Sequence, residues 1–139
     1  MPVHMEIRNE GRLVYWDFSD PWDLAEALGL LKTVERHMSE ATFPVYSFVD
    51  LRNARRIPSG VLGLPRLVNW HLPNGRDVVF VSNSHAIRAM VQLLFRLARS
   101  ERYAVFDDYD QAWNLAQQLL ASTAKTGKFK LNTLNDKVR

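Results

Sequence analysis

Residues 45–64 read VYSFVDLRNARRIPSGVLGL. An apolar run, Val45–Val49, ends at Asp50. A basic loop carrying Arg52, Arg55 and Arg56 follows, and Ser59-Gly60 opens a second helical stretch. A run with no polar alternation suits a strand covered on both faces, as in a parallel sheet flanked by helices. The C-terminal end of such a strand is where α/β proteins place switches and ligands. The stretch therefore predicts a buried parallel strand with a binding or switch surface at its end.

The flanking sequence extends this pattern. Met5–Arg8 and Leu13–Phe18 read as strands joined by a tight turn at Glu10-Gly11, which makes the first strand an antiparallel edge. Asp20-Pro21 predicts a helix start, with Asp as cap and Pro in the first turn. Leu24, Leu28, Leu31, Val34 and Met38 then form one apolar helix face running to about Ser39. Phe43-Pro44 ends that helix. Beyond the opening stretch, a helix lies somewhere between Ser59 and Leu72, its start blurred by Pro65. Pro73-Asn74-Gly75 is a turn and Asp77–Val81 a strand. Ser82, Asn83 and Ser84 offer caps for a third helix with apolar rows Ile87, Val91, Leu94, Ala98 and Met90, Leu93, Leu97. Its other face carries Arg88, Gln92, Phe95, Arg96 and Arg99. Tyr103–Phe106 is the last strand, and Asp107, Asp108 or Asp110 caps a fourth helix through Leu119. The expectation is an α/β fold with a mixed, mostly parallel five-stranded sheet of serial β-α units, in the order β-β-α-β-α-β-α-β-α. It forms one domain over residues 1–123, followed by a polar, basic tail over 124–139 of the composition expected of a mobile end.

Composition narrows the function classes. A chain of 139 residues, 47% hydrophobic and 24% charged, supports one core of ordinary globular character. It contains no cysteine, which removes disulfides, thiolate metal sites and a cysteine nucleophile. No apolar run approaches the ~20 residues that cross a bilayer, and the N-terminus lacks a secretory pattern, so the expected location is the cytoplasm. The net charge of +3 hides an asymmetry: residues 1–51 sum to −5 and residues 52–102, with nine arginines, to +7. Such halves pair with each other, within or between subunits, or steer an anionic partner.

No reaction is legible. Ser59, His71 or His85, and Asp50 supply the residue types of a hydrolase triad but lack the Gly-x-Ser-x-Gly elbow. His4, His37, His71 and His85 have no metal-ligand spacing, with His37 read as a surface helix residue. Gly60-Val61-Leu62-Gly63 matches neither phosphate-binding glycine pattern, and no cofactor motif is present. Nucleic acid is set aside because Trp16, Phe18, Tyr46, Phe48 and Phe80 sit in strands, as core, and do not interleave with the arginines.

Three features resemble the STAS domain, the anti-sigma-factor antagonist fold, in its broader STAS-like branch. They are the strand ending at Asp50, the helix start Ser59-Gly60-Val61-Leu62-Gly63, and the closing AVFDDYDQAWNLAQQLL of residues 104–120. The resemblance spans roughly residues 5–121. It implies a non-enzymatic regulatory domain that docks a protein partner. In the antagonist branch a Ser at the helix start after the third strand is phosphorylated, which adds about −2 charge at a helix N-terminus. Here Leu51–Pro58 separate Asp50 from Ser59, a departure from that pattern, and Ser59 reads first as a plain helix cap and only second as a phosphosite. Ser59, Gly60 and Asp50 are the expected switch or anion-binding residues. Arg52, Arg55, Arg56, Ser84, His85 and Arg88 are the expected partner-binding surface.

The resemblance also implies one-sided winding, which leaves a sheet face without helices. Something must then cover Val14, Trp16 or Tyr46: the first strand, the tail, a lipophilic ligand or a second subunit. A homodimer is expected first, since closed twofold dimers are the commonest assembly. The rival reading is a carrier or sensor of a small lipophilic or anionic ligand. It requires a cavity beside Trp16 and Tyr46, whereas a docking module requires a filled core and a flat basic surface.

Overall fold

The computed structural model describes residues 2–68, 72 and 74–126, with side chains as far as residue 122. Five strands form one sheet in sequence order: β1 (Val3–Arg8), β2 (Leu13–Ser19), β3 (Val45–Asn53), β4 (Gly75–Val81) and β5 (Tyr103–Phe106). β1 lies antiparallel to β2, and every other neighbouring pair is parallel. The two aromatic strands lie side by side, with Tyr15 opposite Phe48 and Trp16 opposite Val49. The β1–β2 connection turns through left-handed backbone at Asn9, Glu10 and Gly11, with φ of 54°, 57° and 90°. Asn and Gly accept that region with little strain; Glu10 occupies it because the tight reversal demands it. The helices are α1 (Leu24–Glu40), α2 (Leu64–Leu67), α3 (His85–Leu97) and α4 (Tyr109–Thr126). The fold is thus the mixed, mostly parallel α/β arrangement that the alternation of segments predicts.

Strand alternation separates two cores. One face presents Val14, Trp16, Phe18, Val49 and Leu51 to α1 and α3, through Val34, Ile87, Val91 and Phe95. The other presents Leu13, Tyr46, Phe48, Val79 and Phe106 to α4, through Leu115, Ala116 and Leu119. Right-handed crossovers put α1 and α3 on the same side. α4, the last element among the described residues, packs on the opposite side. The expectation of a helix-free face is corrected here. Tyr46 lies beneath α4, Val14 and Trp16 lie among the α1 and α3 residues, and all three are covered within one chain. No second subunit is needed to cover these residues.

Local departures from expectation have identifiable causes. β3 continues to Asn53, so Asp50 lies inside the strand and not at its end. The α1 cap is Asp23, whose carboxylate accepts from the Glu26 amide at 2.8 Å. Asp20 is engaged elsewhere, accepting from the Arg55 amide at 2.8 Å and the Arg56 amide at 3.3 Å. Ser84 caps α3 by accepting from the Ile87 amide, and Asp108 accepts from the Gln111 amide in the first turn of α4. His37 is half-buried and not a surface group; its Nε2 donates to the Gly11 carbonyl at 2.7 Å. Phe95 belongs to the core face of α3, packed against Phe80 and stacked on Tyr103 at 4.5 Å. Leu93 and Leu97 are instead exposed. α4 runs to Thr126, past the expected start of the tail. His71, Pro73 and residues 127–139 lie outside the described residues.

Candidate functional site: a cavity beneath a one-turn helix

The second crossover carries the shortest helix. Between β3 and β4 the chain forms a three-residue 3-10 turn, Val61–Gly63, and then α2, with Pro65 within its single turn. Pro65 has no N–H to donate and its ring disfavours a preceding helical turn, so α2 cannot extend toward its N-terminus. A crossover helix of ordinary length, about 10–14 residues, would cover the sheet between α1 and α3. Among the described residues of this crossover the helix is one turn long, and beneath it lies a cavity of about 240 Å³.

Its walls are the faces that the sequence assigns to core. α1 contributes Leu24, Leu28, Leu31, Val34 and Met38, the same row that the helical periodicity singles out. Trp16, Phe18, Val49, Val78 and Phe80 form the sheet floor, and Val91, Leu94 and Phe95 the α3 wall. Leu64, Val68 and Leu72 close the α2 side. The side chains lining α1 from Leu24 to Met38 extend over about 21 Å at the helical rise. The cavity is mostly apolar, and a void of this kind between core faces is unusual in a close-packed interior.

Polar groups sit at its ends. Arg76, Arg102, Glu35 and Ser100 line it near the start of β4 and β5. The Arg102 Nη1 donates to the Gly75 carbonyl at 2.8 Å, which anchors that guanidinium beside the opening. At the other end Trp22 lies in the wall, and its indole N–H is buried with no acceptor. Buried indole N–H groups ordinarily find a partner, so a guest bearing an oxygen there would relieve an unsatisfied donor.

The opposite face is filled. Phe48 stacks on Tyr15 at 5.2 Å and meets Tyr109 and Trp113 edge-on at 5.5 and 5.1 Å. The Tyr15 and Tyr109 hydroxyls share a hydrogen bond of 3.0 Å. Burial pushes the Tyr15 phenol up, and the Tyr109 hydrogen bond adds to the shift. The Arg8 and Arg52 guanidiniums cover these rings, 4.0 Å from the Tyr15 centroid and 4.2 Å from that of Tyr109. The cavity is therefore beside Trp16 but not beside Tyr46.

The sequence-predicted residues divide into engaged and exposed groups. Asp50 is buried and held by Arg52, with Nε donating to Oδ1 at 3.0 Å and Nη2 to Oδ2 at 2.9 Å. Those bonds raise the Arg52 pKa further above its usual range. Asp17 faces Asp50 across the β2–β3 ladder, and one of its oxygens is buried without a donor. Burial first, and the Asp50 charge second, raise the Asp17 carboxyl above its usual range. The Arg88 Nη1 donates to the Ser82 carbonyl at 2.8 Å. Arg52, Ser84 and Arg88 are thus partly occupied by the fold itself. Arg55, Arg56 and His85 are exposed, as is Ser59. Ser59 does not cap: Gly60 holds the cap position with φ of 87°, and no side chain bonds the following amides. The topology brings the 54–60 loop and the Ser82–His85 turn to the same C-terminal edge of the sheet, because β3 and β4 are neighbours.

Neither Arg76 nor Arg102 stands out by motif. Two sequence features mark the cavity: Pro65 in the crossover helix, and apolar faces on β4 and α3 that line it. Of the charge asymmetry, Arg52–Asp50 is the ion pair that joins the acidic and basic parts among the described residues. The pairs of Glu6 with His4 and Arg8 are local to β1. No family model matches the chain, and neither the curated proteins nor the solved structures contain a match to it.

Proposed function

We propose that this chain is a binding module for a small, mostly apolar molecule, acting as a carrier or sensor. The observation that supports the reading is the apolar cavity of about 240 Å³ beneath α2. It exceeds the ~150 Å³ that suffices for a benzene-sized guest and lies just below the range of drug-sized pockets. Its aromatic and aliphatic walls supply non-directional burial, and the polar groups at its ends supply the orienting contacts.

The neutral fluorophore N-phenyl-1-naphthylamine tests this directly. The full chain should bind it saturably at one site. Ala27→Phe places a ring into the cavity from the α1 wall and should weaken that binding at least tenfold without lowering the melting temperature. Absent binding, or binding that Ala27→Phe leaves intact, refutes the proposal.

A second reading, docking of a protein partner by a STAS-like regulatory domain, draws on one observation. Asp20 binds the amides of Arg55 and Arg56, which holds the exposed basic loop in place only two residues from Trp22 of the cavity wall. The loop would then be positioned to report occupancy to a partner.

A further inference from the structure

Resting on the lipophilic-guest reading, we infer that the guest is a free, single-chain amphiphile with an anionic head, of the medium-chain carboxylate class. Charge, size and shape each point there. At one end the cavity wall carries two exposed guanidiniums, Arg76 at the start of β4 and Arg102 immediately before β5. One Arg102 N–H is fixed on the Gly75 carbonyl at 2.8 Å, and the rest of the planar fork suits a carboxylate. Two protein carboxylates lie nearby. Glu35 is in the α1 wall of the cavity. Asp77 is buried, and strand alternation directs it to the opposite face of the sheet from the cavity residues Val78 and Phe80. A head group arriving from the cavity side therefore meets two guanidiniums and one carboxylate, Glu35, a local balance that still favours an anion.

The volume of about 240 Å³ equals roughly eight groups of ~30 Å³ each, which is one alkyl chain of about eight carbons. A diacyl lipid brings twice that bulk and does not fit. The elongated α1 wall, about 21 Å from Leu24 to Met38, favours a linear chain over a compact ring system. The head rests at Arg76 and Arg102, and the chain runs between α1 and the sheet toward Phe18 and Trp22.

Calorimetric titration of the full chain with hexanoate, octanoate, decanoate and decanol, all below their micelle concentrations, tests the assignment. Affinity should tighten about fourfold per added methylene and level off near ten carbons as the chain outgrows the cavity. Decanoate should bind at least tenfold tighter than decanol. Arg76→Gln with Arg102→Gln should remove that difference and leave the binding of decanol and of N-phenyl-1-naphthylamine unchanged. Arg76→Gln alone should remove part of it and serves if the double variant misfolds. If the fluorophore binds but decanol equals decanoate, the anionic head is wrong and the lipophilic reading stands. If neither fluorophore nor carboxylate binds, both fall. Tighter capture by anionic phospholipid vesicles than by decanoate overturns the free-amphiphile assignment.

Discussion

Asp77 keeps its charge against its surroundings. It is buried, 8% exposed, and desolvation pushes its carboxyl up to about 6, with Arg102 and Arg76 opposing the rise. A folded pKa above the unfolded value, about 3.9, means that the folded state binds the proton more tightly. Its stabilising contribution is present below about pH 4 and is lost as pH rises through about 6. Asp77→Asn should therefore raise stability at pH 7 by about 1–3 kcal/mol and flatten the dependence between pH 4 and 6, read from urea melts across pH. Asp50 presents the opposite case, since its buried carboxylate is satisfied by Arg52. Arg52→Ala leaves that charge without its partner and should cost about 1–3 kcal/mol in the same assay. The sequence shows Asp50 and Arg52 as prominent residues. Their use in holding each other needs β3 to continue beyond Val49, and no residue between Val49 and Asn53 signals that continuation.

α3 shows what periodicity does and does not resolve. Leu93, Leu94, Phe95 and Leu97 spread apolar groups over most of the helix circumference. Spacing alone then fixes the helix but not its rotation. Rotation is decided by what the helix meets. Phe80 and Tyr103 take Phe95, and Leu97 is left 52% exposed. Phe95→Ala should cost about 3–5 kcal/mol, whereas Leu97→Ala should stay within about 1 kcal/mol, both from denaturant midpoints. At the β1–β2 turn, Gly11 has φ of 90°, and an added Cβ would approach the His37 ring at 3.1 Å. Gly11→Ala should cost about 1–3 kcal/mol for the backbone conformation alone. α1 is the element read most completely from sequence. Its apolar row is single and narrow, so one rotation satisfies it. That same row lines the cavity, a fate that the row itself does not reveal.

At the scale of the molecule, α4 completes the second core without help from another chain. Phe48 and Val79 are essentially fully buried, and α4 supplies Ala112, Ala116 and Leu119 against them. A chain ending at Asp108 leaves that face open to water. It should lose cooperative unfolding and bind anilinonaphthalene sulfonate strongly, measured by thermal melting and dye fluorescence. The cavity arises at this scale too. It belongs to no element and exists because α1 and α3 are spaced by the sheet while α2 is one turn long.

Alternating strand and helix periods and a hairpin turn determined the layer architecture and the parallel pairing of the two aromatic strands, because those features follow from local geometry and right-handed connection. Which face α4 covers, how α3 is rotated, and where a void remains between α1 and α3 were decided only in three dimensions. Each depends on contacts between residues far apart in the chain, which local periodicity does not encode.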